Sequence, residues 1–141
     1  MDFWHLTGHF FVALLVSLFI WRKTKSKFLV VLCFLASFGI DIDHLFDFWK
    51  AYGFSLDIKK FFEIDFFKLN GGIFVPLHGW EWAILLFALA KFLKKFRWFL
   101  LTLSLVLFFH ILWDSVSYQI QPLDYFFFWR AAHDFKMHCG W

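Results

Sequence analysis

The chain has 141 residues, 62% of them hydrophobic and 26% aromatic, with a formal net charge of only +3. That balance excludes an ordinary charge-rich soluble domain and fits a single membrane domain, with membrane lipids as its surroundings. The basic residues fall in two short clusters rather than along one face, so nucleic acid is not an expected partner.

Residues 3–21 carry no formally charged side chain, and these nineteen positions suffice for one membrane span. Asp2-Phe3-Trp4-His5 lacks the basic start and small-residue cleavage site of a signal peptide, so the stretch is expected to be retained. Arg22-Lys23-Thr24-Lys25-Ser26-Lys27 then makes a tight basic turn. The second span, about residues 28–45, leads into Asp41-Ile42-Asp43-His44. In the connector, residues 56–69 place Ile58, Phe61, Phe62, Phe66 and Leu69 on one stripe, predicting an amphipathic helix on the membrane surface. Asn70-Gly71-Gly72 punctuates its end.

Pro76 suits the first position of a helix, so the third span is placed at about residues 76–92, with His78 and Glu81 near its start. Lys91-Phe92-Leu93-Lys94-Lys95-Phe96-Arg97 is a second basic turn, and the fourth span, about residues 98–114, ends in His110 and Asp114. The aromatic-rich tail, residues 122–141, reads as interfacial. The expected fold is all-α, a polytopic four-transmembrane-helix bundle with an interfacial helix between spans 2 and 3.

Each basic turn holds four Lys or Arg, which places both in the cytoplasm. The connector balances Lys50, Lys59, Lys60 and Lys68 against Asp47, Asp57, Glu63 and Asp65. It is therefore expected outside an inner or plasma membrane, together with both termini. Cys33, in an apolar run, and Cys139, in the tail, have neither a disulfide pattern nor thiolate-site spacing.

Counting inward from the basic turns gives depth. His9 lies thirteen residues before Arg22, His78 thirteen before Lys91, His110 thirteen after Arg97 and Asp41 fourteen after Lys27. Four polar residues, one per span, thus share a level about 20 Å from the cytoplasmic edge, as a metal site inside a bundle requires. The intervals from His9 to Asp41 and from His78 to His110 are both 32 residues, a hint of internal duplication.

Local spacing adds pairs: His110 with Asp114 and Asp43 with Asp47 at i, i+4, and Asp41 with His44 and His78 with Glu81 at i, i+3. If the second helix runs on, Asp41 faces the axis and Asp43 turns away; if it ends at Ile40, an irregular turn aims both carboxylates inward. Imidazole and carboxylate without thiolate suit Zn²⁺, Mn²⁺ or Fe²⁺ better than Ca²⁺. His5, His133 and His138, close to the chain ends, read as hydrogen-bonded packing residues. Glu81 either binds or orients a ligand histidine.

The order of His9, then Asp41-Ile42-Asp43-His44, then His78, then His110-x-x-x-Asp114 resembles the membrane-bound metal-dependent hydrolases, also described as LexA-binding, inner-membrane-associated hydrolases. The likeness spans nearly the whole chain. It departs at Pro76-Leu77-His78-Gly79-Trp80-Glu81, where the family shows an Arg-Gly-x-Thr-His-Ser type segment. More distantly the motif order is similar to the zinc-dependent phospholipase C and single-strand nuclease superfamily. That resemblance implies a carboxylate bridging two metals, a role falling on Asp114, and phosphoester hydrolysis.

The expected protein is thus a membrane hydrolase acting on a lipid-borne ester, foremost a phosphoester. Asp41, His78, His110 and Asp114 would hold one or two divalent ions, zinc foremost with manganese or iron as alternatives, and His9 would complete a second position. Asp43, His44 or Glu81 would take a proton or fix a tautomer. A metal or proton carrier and a structural subunit with a closed metal site are the competing classes.

Overall fold

The computed structural model describes residues 3–63 and 65–136; His138 and Cys139, singled out above, lie outside them. Among the described residues every regular element is helical. Helix α1 (Phe3–Thr24) turns at Lys25, whose φ is +56°, into α2 (Lys27–Gly39). Ser26 caps α2 by accepting from the Leu29 amide at 3.4 Å. A 3-10 turn, Ile40–Asp43, joins α2 to α3 (His44–Tyr52). Two short helices follow, α4 (Ile58–Glu63) and α5 (Phe66–Asn70), then α6 (Trp80–Phe92) and α7 (Arg97–Ser117). A 3-10 turn, Pro122–Tyr125, and α8 (Phe127–Ala132) end the described chain.

Among the described residues, three segments are long and apolar enough to cross a membrane: Trp4–Thr24, Lys27–Tyr52 and Lys94–Ser117. Helix α6, with 13 residues, rises only about 20 Å. It starts at Trp80 rather than at Pro76, after an extended Gly79 with φ −132° and ψ 131°. Trp82 Nε1 donates to Pro76 O at 2.7 Å, and Arg130 donates to Val75 O and His78 O. The second span also differs, running past residue 45 to Tyr52. The expected surface helix over 56–69 is broken into α4 and α5. In the described part of the tail, residues 122–136, Asp124, Tyr125 and Arg130 are buried.

Helix α7 is central, packing against α1, α2 and α6. One apolar core joins α1, α2 and α7 through Val16, Ile20, Leu29, Cys33 and Val106. A second joins α6, α7 and the tail through Ala83, Leu107, Ile111, Ile120 and Tyr125. Small polar residues fasten the helices where they approach: Ser37 Oγ donates to His9 O at 3.1 Å, and Ser104 Oγ to Ala83 O at 2.8 Å. At Gly8 the Trp113 ring occupies the space a Cβ would need. The outward faces carry Leu15, Leu35 and Ile84 at 67%, 66% and 62% exposure, a surface suited to lipid.

Candidate metal centre

His5 and His9 lie on one face of α1 at i, i+4, and His110 and Asp114 do the same on α7. Asp41 comes from the 3-10 turn and His78 from the loop before α6. Their polar atoms converge on two sides of the Asp114 carboxylate. Oδ2 is 3.4 Å from His110 Nε2 and 3.6 Å from His78 Nε2. Those two nitrogens are 3.2 Å apart, and Asp41 Oδ1 lies 3.2 Å from His110 Nε2 and 3.3 Å from His78 Nε2. Oδ1 faces the other way, 3.2 Å from His9 Nε2 and 3.4 Å from His5 Nε2, which are 2.7 Å from each other. The His9 and His110 rings stack between the two sides at 3.9 Å.

This donor set can hold metal ions. Atoms bonded to a tetrahedral zinc at about 2.0–2.1 Å are about 3.3 Å from one another, and the distances around Asp114 Oδ2 match that size. Facing Nε2 atoms also need something between them, since one shared proton satisfies a pair and a cation satisfies the whole group. Asp114 Oδ1 is buried and within 3.4 Å of two imidazoles, yet off the angle of any hydrogen bond. It is an orphaned acceptor aimed into the cluster.

The groups behind the cluster fix its geometry. Asp43 is fully buried; its Oδ2 accepts from Leu77 N at 2.7 Å and lies 3.1 Å from His78 Nδ1, while Oδ1 is 3.0 Å from His44 Nδ1. A carboxylate on the distal nitrogen directs the other nitrogen at the cluster. His5 Nδ1 is 3.0 Å from Ser117 Oγ. Asp47 accepts the amides of Phe74 and Val75 at 3.0–3.1 Å. From the opposite side the Arg130 guanidinium donates to the carbonyls of Ile73, Phe74, Val75 and His78 at 2.9–3.3 Å. Burial lowers the Arg130 pKa, opposed by the field of Asp43.

The structure thus brings together His9, Asp41, His78, His110 and Asp114. The 3-10 turn aims both Asp41 and Asp43 inward, but only Asp41 reaches the converging Nε2 atoms. Asp43 stands behind His78. His44 is half-buried at the rim, 4.9 Å ring to ring from His78. His5, read as a hydrogen-bonded packing residue, is 3% exposed and within hydrogen-bond distance of Ser117 and His9, and it also stands in a group that could hold a metal; its i, i+4 spacing to His9 repeats that of His110 and Asp114. One expectation is corrected. Glu81 does not share a face with His78, because the helix begins after His78; its Oε1 accepts from Phe128 N at 3.1 Å. His133 stays exposed on Trp129 O. Arg130 carried no spacing signal at all.

A cavity of about 30 Å³ touches the cluster at His44, His78 and Asp114 and is walled by Phe67, Ile73, Val75, Tyr118, Ile120 and Tyr125. It holds about one water. Larger grooves, of about 390, 350 and 400 Å³, lie along helix faces, and none of their lining residues belongs to the cluster. No family model, curated protein or solved structure matches this chain.

Proposed function

We propose that this is an integral membrane hydrolase that uses one or two divalent ions, zinc foremost, to cleave a lipid-borne phosphoester. The observation that carries the reading is the buried convergence of imidazole Nε2 and carboxylate oxygens on both sides of Asp114, at separations of 3.2–3.6 Å around Oδ2. Asp41, His78, His110 and Asp114 Oδ2 form one half, and His5, His9 and Asp114 Oδ1 the other. A divalent ion there supplies Lewis acidity towards water and a phosphoryl oxygen.

The chain's own groups would do the rest. Asp43 holds the His78 tautomer that turns Nε2 to the cluster. His44, at the rim of the water-sized cavity and hydrogen-bonded to Asp43, is placed to take a proton there. That cavity leaves an open side, which favours a reacting site over a saturated structural one. The cluster's place among long apolar helices supports lipid as the substrate class. The resemblance to membrane-bound metal-dependent hydrolases and the four-span topology with cytoplasmic basic turns belong to the same reading.

Metal analysis of purified protein, with release of phosphate-bearing headgroups from mixed micelles before and after chelation, tests it. One or two ions per chain and a chelator-sensitive hydrolysis are expected. Metal flux into liposomes without hydrolysis would make it a carrier; bound metal with neither activity would leave a structural site. Topology is tested separately, with Cys33 and Cys139 replaced. Ser26→Cys should resist an impermeant thiol reagent in intact cells and Ser55→Cys should react; the reverse pattern overturns the orientation.

A further inference from the structure

We infer that the C-terminal segment 122–136 is a built part of the metal centre, and that Arg130 is a positioning residue for His78; this rests on the metal reading above. His78 is the one converging imidazole carried by irregular backbone, residues 73–79 between α5 and α6. Irregular backbone at membrane depth must be satisfied inside the protein, and here charged side chains do so from both sides. Asp47 and Asp43 take the amides of Phe74, Val75 and Leu77, and Arg130 takes the carbonyls of Ile73, Phe74, Val75 and His78. At Phe74 and Val75 the N–H thus meets a carboxylate and the C=O a guanidinium.

The Arg130 bond to His78 O, at 2.9 Å, acts on the backbone of the converging residue itself. Arg130 is 0% exposed, and its guanidinium nitrogens Nη1 and Nη2 are spent on the loop carbonyls. Lysine cannot replace it fully, because only a planar fork reaches several carbonyls at once.

The guanidinium is in turn held by stitches along the tail. Trp80 Nε1 donates to Pro122 O at 2.8 Å, Glu81 Oε1 accepts from Phe128 N, and Ile73 N donates to Phe135 O at 2.8 Å. A Cβ on Gly72 would lie 2.9 Å from Phe135 O, so the two stretches of chain meet without room for a side chain. The tail thus grips the loop at both ends and at its centre, whereas His5, His9, His110 and Asp114 stand on the long helices α1 and α7.

The test is Co²⁺ binding in detergent, read by its ligand-field spectrum and by titration, with far-UV circular dichroism as the control for the helices. In Arg130→Met the affinity should fall about 10–100-fold, the effect usual for a group supporting a ligand, and the spectrum should shift as His78 leaves, with helicity kept. Arg130→Lys should fall between Arg130→Met and the wild type. Metal affinity and spectrum within about twofold of wild type in a folded Arg130→Met protein, against that 10–100-fold loss, would overturn the inference. Should that variant not accumulate, Arg130→Lys carries the test alone, and an unchanged spectrum and affinity there overturns it equally. A wild type that binds no Co²⁺ sinks the metal reading and this inference with it; a wild type that binds beside a variant that binds equally sinks only the role of Arg130.

Discussion

His9 and His78 deliver Nε2 atoms to one cluster from two kinds of backbone. His9 sits on α1, whose amides and carbonyls satisfy each other along 22 residues, and its position follows from the packing of α1 on α2 and α7. His78 sits on a loop whose backbone is satisfied by Asp43, Asp47 and Arg130. A ligand on a long helix depends on many weak contacts, and one on such a loop depends on a few strong ones. The two halves of the centre should therefore fail differently.

Asp114→Ala should do most, since its two oxygens face the two halves. We expect loss of all bound metal by elemental analysis and about 3–5 kcal/mol of stability in the metal-loaded protein, read by thermal unfolding. Full metal content in that variant would break the idea that one carboxylate joins the halves. His5→Gln should come next, halving the metal content where two ions bind while leaving the Co²⁺ signal of the His78 half in place. If both signals vanish together, the halves are one site.

Asp47→Asn attacks only the loop. One acceptor oxygen is lost to two amides, at about 1–3 kcal/mol, and metal affinity should drop about tenfold without loss of helicity. Ser37→Ala attacks only the helix side, removing the bond to His9 O. A change of about 1 kcal/mol in unfolding and an affinity within about twofold of wild type are expected. A larger metal defect from Ser37→Ala than from Asp47→Asn would reverse the comparison.

The same contrast decides what the sequence reveals. The meeting of His9, Asp41 and His110 is legible because helical rise is constant, so counting from Arg22, Lys27 and Arg97 gives depth. His78 reaches the same level although it stands one residue outside the helix cap at Gly79. Pro76 and the following apolar run imitate a helix start; the helix begins at Trp80 instead, after an extended Gly79, while Trp82 binds the Pro76 carbonyl and Arg130, 52 residues beyond His78, binds the His78 carbonyl. Arg130 itself is invisible, because a single arginine in an aromatic tail has no period. His5 is obscured by its place near the chain end, although its spacing to His9 is the same as that from His110 to Asp114. The inward aim of both Asp41 and Asp43 depends on a 3-10 turn that apolar patterning does not announce.

The brevity of α6 bears on the surrounding bilayer. In the four-span reading this wall measures about 20 Å against a hydrocarbon core of about 30 Å. Such hydrophobic mismatch is relieved by local thinning, which draws the headgroup layer inward beside the short helix. The loop bearing His78 leads into the N-terminal end of that helix. A dimple in the leaflet there would bring a phosphoester down towards the depth of the cluster without lifting its acyl chains from the membrane, and would favour residence of the protein in thinner membranes.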